Sequence, residues 1–162
     1  EYFNYDFPPE FWLVEVSGIP YGLMGEMLEG GGNPWRGMLY GMTGRSPRVD
    51  NGPLWKLWDS FGMQNSEMIG YWVKDNPVKT GSEKTLATVY SHMGDKALIS
   101  LATWEDTDAK VKLSIDWAKL GLDPSKVTLH APAIENFQQE TTWKPSDEIV
   151  VPKGKGLLII AK

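Results

Sequence analysis

The chain changes texture near residue 75, and that change limits what it can fold into. Twelve of its 17 glycines and six of its seven methionines lie in residues 1–72. Beyond them the sequence alternates apolar and polar residues in short runs. Lys74-Asp75-Asn76-Pro77, polar and broken by proline, marks the boundary. The reading is two parts, 1–75 and 76–162, within a length that suits one domain and is marginal for two. Apolar residues make up 41%, enough for a packed core rather than disorder.

The second part reads as an antiparallel β-sandwich of six to eight strands. Thr85 to Ser91 alternates, Gly94-Asp95 turns, and Lys96 to Trp104 returns as its hairpin partner. Lys110 to Ile115 has period two. Asp116 to Leu122 reads as one helical turn ended by Gly121. Lys126 to His130, Glu148 to Val151 and Gly156 to Ala161 complete the set.

The first part reads as a short βαβ-like segment, the end of an α/β unit, so the fold class is α+β. Phe11-Trp12-Leu13-Val14-Glu15-Val16 is a nearly continuous apolar run, as in a strand buried on both faces. A helix follows, capped by Asp50 or Asn51, with Pro53 in its first turn and Gly62 at its stop. Leu54, Trp55, Leu57, Trp58 and Phe61 recur at helical spacing and are expected in the core. Glu67 to Trp72 reads as the next strand of a parallel crossover. One crossover leaves apolar strands short of partners, which implies a larger α/β domain or tight packing on the second part.

Between run and helix lies Gly25 to Arg45, rich in glycine, carboxylates, arginines and aromatics. Loops on a rigid scaffold are where binding and catalysis concentrate. Glu26 and Glu29, three apart, share a face on a helical turn, or belong to a solvated acidic loop. Trp35 and Tyr40 offer flat apolar area with a polar tip, suited to stacking on a ligand or to ordinary packing. Arg36 and Arg45 can fork onto carboxylates and anchor the loop. Glu15, an acid within an apolar run, faces a barrel interior or pairs with Arg36 or Arg45.

Other chemistry is poorly supported. The net charge of −5 arises wholly in residues 1–75, and no basic patch points to nucleic acid. There is no cysteine, so disulfides, thiol catalysis and zinc thiolate sites fall away. His92 and His130 lack ligand-spaced partners, and Asp106 and Asp108 read as a solvated turn. No serine–histidine–acid order, phosphate loop or membrane-spanning run is visible, and no cofactor is expected.

Three stretches carry a family resemblance. They are Gly25-Glu26-Met27-Leu28-Glu29-Gly30-Gly31; Leu57-Trp58-Asp59-Ser60-Phe61-Gly62 with Ile69-Gly70-Tyr71-Trp72; and Pro132-Ala133-Ile134-Glu135-Asn136-Phe137-Gln138 with Gly154-Lys155-Gly156-Leu157-Leu158-Ile159-Ile160. Together they resemble the C-terminal portion of glycoside-hydrolase-like proteins of polysaccharide-utilising bacteria. Asp116-Trp117 with Leu120-Gly121-Leu122 also resembles the C-terminal domains of α-galactosidase-like enzymes. The resemblance implies the end of a (β/α)8 catalytic barrel followed by a β-sandwich, a carbohydrate substrate, and a periplasmic or secreted location. It implies substrate contacts from Glu26, Glu29, Trp35, Arg36 and Tyr40. The catalytic pair of such enzymes comes from earlier strands, so the chain is expected to work with the remainder of its polypeptide or as a homo-oligomer. The alternative is a non-catalytic module that binds carbohydrate or protein.

Overall fold

The computed structural model describes residues 7–22, 28–29, 32–45 and 50–162. The N-terminal segment begins with α1 (Pro9–Phe11), which continues as a π-helical turn, Trp12–Val16. Then come β1 (Leu28–Glu29), α2 (Pro34–Met38) and β2 (Gly44–Arg45). β1 and β2 pair in parallel with α2 between them. This short βαβ-like unit is not the crossover expected from residues 11–16, the helix after Asp50 and residues 67–72.

Phe11 to Val16 is helical and not a strand. A short apolar run cannot by periodicity alone be told from a buried helix. Proline at the first helical positions, Pro9 after Pro8, supplies the starting signal that decides it. Trp12 and Val16 are buried, while Glu15 is exposed, so this acid incurs no burial cost.

α3 (Gly52–Phe61) keeps its expected punctuation. The Asp50 carboxylate accepts from the Gly52 amide at 2.8 Å. Gly62 ends the helix at φ 79°, a left-handed conformation that glycine adopts without strain. Leu54, Leu57 and Phe61 form the buried stripe, but Trp55 is 47% exposed and Trp58 half-buried. The stripe is narrower than the tryptophans suggested.

The strands that follow are β3 (Glu67–Ile69), β4 (Val78–Lys79), β5 (Thr85–His92), β6 (Lys96–Thr103), β7 (Ala109–Val111) and β8 (Ser114–Ile115). After α4 (Trp117–Leu120) come β9 (Leu129–Ala131), β10 (Thr141–Trp143), β11 (Ile149–Val151) and β12 (Gly156–Ala161). Six of them form one antiparallel sheet in the order β10-β9-β12-β6-β5-β3. β3 is thus an antiparallel edge strand beside β5, with Met68 opposite Tyr90, and not the return of a parallel crossover. The stretch from Lys110 to Ile115 divides between two short pairs, β11·β7 and β4·β8.

Side chains alternate across a strand, so each strand of the main sheet serves two faces. Ala87, Val89, Ile99, Leu101, Leu129 and Ile159 pack in one cluster with Val111, Leu120, Ile149 and Val151 from the short strands and α4. This is the sandwich core. Tyr90, Leu98 and Leu158 lie on the opposite face and pack with Met38, Leu54, Leu57 and Phe61. Further along, Ala102 meets Trp12, Leu39, Tyr40 and Met42. The sheet is therefore buried on both sides, by the sandwich layer on one and by α2, α3 and the N-terminal segment on the other.

Candidate functional site

α2 is fastened to the sheet at both ends. Helix termini leave backbone groups without intrahelical partners. At its start, Asn33 is fully buried and caps the helix, its Oδ1 accepting from the Arg36 amide at 3.0 Å. The same side chain donates from Nδ2 to the Gly154 carbonyl at 2.8 Å, reaching the turn before β12. At its end, Tyr90 Oη donates to the Met38 carbonyl at 2.6 Å, and Thr88 Oγ1 to the Leu39 carbonyl at 2.8 Å. Thr88 and Tyr90 share a face of β5. Residues that read as the polar rows of a strand are the donors that close a helix.

This attachment fixes Trp35 and Arg36 at the junction. Trp35 donates from Nε1 to the Phe137 carbonyl at 3.2 Å, and its ring lies 5.1 Å from that of Phe137. The Lys155 ammonium stands 5.3 Å over the Trp35 ring. Arg36 is buried; it donates to the Thr103 carbonyl at 3.2 Å, and its guanidinium lies 4.4 Å over the Trp104 ring. Trp104 in turn donates to the Phe7 carbonyl at 2.7 Å. Between them runs a groove of about 720 Å³ lined by Trp35, Arg36, Trp104, Glu105, Lys153 and Lys155, among others. It offers aromatic walls, a guanidinium, the Glu105 and Asp106 carboxylates and ammonium groups, a mixture that suits a polar ligand with apolar faces.

Tyr40 is placed differently from the expectation of a sugar platform. It is buried, with Trp12 stacked at 6.0 Å and Trp72 at 5.8 Å. Its hydroxyl lies 3.1 Å from the Pro9 carbonyl oxygen and 3.1 Å from the Tyr71 hydroxyl. Burial, then the neighbouring Tyr71, pushes its ionisation far above the ordinary range of a phenol. Tyr40 is a neutral packing residue held among Trp12, Tyr71 and Trp72. Glu29 is the second residue of β1; Glu26 lies outside the described residues.

Asn33, Thr88, Tyr90 and Lys155 were not singled out from sequence. Asn33-Pro34 is a cap followed by proline at the first helical position, a signal that was legible. The others are linked to α2 only through the fold. Among the described residues, no group of histidines and carboxylates is arranged to hold a metal. No helix there is long and apolar enough to cross a membrane.

A short parallel strand–helix–strand unit thus packs against one face of the antiparallel sheet. Residues 1–47 match the family model described as Glycoside hydrolase 123, TIM-barrel domain. Residues 50–162 match that of Glycoside hydrolase 123, C-terminal domain. The chain therefore belongs to glycoside hydrolase family 123. α3 and β3 fall within the second match. Comparison with curated proteins and with solved structures gave no match.

Proposed function

We propose that this chain closes the catalytic barrel of a carbohydrate-cleaving enzyme, with residues 1–47 supplying substrate-site loops and the sandwich bracing them. The observation that carries the reading is the double attachment of α2 to the sheet, through Asn33 at one end and Thr88 and Tyr90 at the other. In barrel enzymes the active face is built by the loops that follow the parallel strands. β1 leads toward α2 and its Trp35, so that connection belongs to the substrate end. Trp35 forms an aromatic wall for a sugar ring and Arg36 braces it. Tyr40 belongs to the buried cluster against which Trp35 packs.

Cleavage of a glycosidic bond uses two carboxyl groups across the scissile bond and an oxocarbenium-like transition state. On this reading Glu26 and Glu29 contact the substrate near that developing positive charge. The test is hydrolysis by the intact enzyme carrying Glu26→Gln or Glu29→Gln. At least one variant is expected to lose about tenfold or more in kcat/KM, a transition-state loss near 1.4 kcal/mol, while its unfolding stays unchanged. Wild-type kinetics in both would remove the assignment.

A further inference from the structure

β12 pairs with β9 only through Ile160 and Ala161. Beyond that point the two strands part, and Gln138 substitutes for the missing strand. Its amide donates to the Pro132 and Leu158 carbonyls at 2.8 and 2.9 Å, and its carbonyl accepts from the Leu158 amide at 2.7 Å. The parting leaves a cleft of about 570 Å³ between β10, β12 and the loop that carries Gln138. That volume is within the range of small-ligand sites.

Two half-buried rings, Phe137 and Trp143, line the cleft together with Asn136, Gln139, Thr141 and Lys155. Gln138 uses its whole amide on the backbone. By contrast, the side chains of Asn136, Gln139 and Thr141 and the Trp143 indole N–H have no hydrogen-bond partner among the described residues. Asn136 also holds a left-handed backbone, at φ 59°. No carboxylate lines the space. Amides and a hydroxyl both donate and accept, as sugar hydroxyls require, and aromatic faces suit the C–H faces of a pyranose.

We infer that this cleft is an accessory binding site for a neutral pyranose ring of a glycan, adjoining the groove at Trp35 and Arg36 across Lys155 and Phe137. The inference rests on the carbohydrate reading above. Its role is to hold part of the glycan while another part is cleaved. A site of this kind has millimolar affinity for a single sugar.

The test is a nuclear magnetic resonance titration of the isotope-labelled full chain. The probes are methyl β-galactoside, methyl β-glucoside and methyl β-N-acetylglucosaminide, each to about 50 mM, where a millimolar site saturates. Saturable shifts of the Trp143 indole N–H and of the Gln139 and Thr141 amides are expected with at least one sugar. Trp143→Ala is expected to weaken that binding about tenfold, read at Gln139 and Thr141. Asn136→Gly removes an amide while suiting the left-handed backbone, so it decides the matter should Trp143→Ala not fold. It is expected to weaken binding by about threefold. No shift with any of the three sugars, or shifts unaltered in both variants, overturns the site. Loss of this site while hydrolysis still depends on Glu26 and Glu29 removes the cleft alone. Wild-type hydrolysis in those two variants removes the catalytic reading alone.

Discussion

Asn76 joins four backbone groups through one side chain. Its Nδ2 lies 3.1 Å from the Ile69 carbonyl, 3.0 Å from Gly70 and 3.0 Å from Ala87, and its Oδ1 accepts from the Val78 amide at 2.8 Å. In sequence it is one residue of a polar, proline-broken stretch, and nothing local marks it as buried. Asn76→Ala leaves buried backbone groups without partners, and is expected to cost about 3 kcal/mol in urea unfolding. Gly156 is set by a close approach. A Cβ there would stand 1.9 Å from the Leu101 carbonyl oxygen, so Gly156→Ala is expected to cost about 3 kcal/mol or more in the same measurement.

The buried tyrosines give the molecule an alkaline limit. Burial raises the ionisation of both Tyr40 and Tyr90 above the ordinary value of 10.0. Below that pH both folded and unfolded chains keep these protons, and their contribution is constant. Above it the unfolded chain releases protons that the folded chain retains, so stability falls as pH rises. The slope approaches about 1.4 kcal/mol per pH unit for each tyrosine. Urea unfolding at about pH 9 and about pH 11 reads this, and Tyr90→Phe is expected to lose about one tyrosine's share of the slope. An unchanged slope would contradict the burial account.

Among the elements, α3 was legible because its signals are local: a carboxylate at the start, proline in the first turn, a left-handed glycine at the stop. Its core face was less so, since spacing alone does not say how wide a buried stripe is. Leu57 is 8% exposed and packs with Leu98 and Leu158, whereas Trp55 faces solvent. Leu57→Ala is accordingly expected to cost about 3 kcal/mol in thermal or urea unfolding. Trp55→Ala is expected to stay within about 0.5 kcal/mol. Phe11 to Val16 was misread because six apolar residues fit a buried strand and a buried helix alike. The hairpin of β5 and β6 was plain from its alternation and from Gly94, at φ 78°. That alternation still concealed the second covered face, because Thr88 and Tyr90 look like outward rows until α2 is placed on them.

At the scale of the whole molecule, one sheet serves two neighbours. The sandwich layer covers one side, and the β1–α2–β2 unit is fastened to the other. Of the candidate site, the loop and its residue types were visible in sequence. Trp35 and Arg36 do share a groove, yet its far wall, Trp104 and Lys155, lies 69 and 120 positions beyond Trp35 and could be joined only by folding. Tyr40 shows the same lesson in reverse: an aromatic expected to face a sugar is buried among Trp12, Tyr71 and Trp72.

The central claim is that the sandwich holds the substrate-site unit in place. Asn33 allows a direct test, because its two functions can be separated. Asn33→Ser keeps an oxygen to cap α2 and loses the donor to Gly154. We would measure kcat/KM of the intact enzyme with this substitution beside its unfolding midpoint. A loss of about 1 kcal/mol of attachment is expected to lower kcat/KM several-fold while the enzyme stays folded. Wild-type kinetics despite a lowered midpoint would mean that the contact to the sandwich stabilises the chain without positioning its site, and the claim would fall.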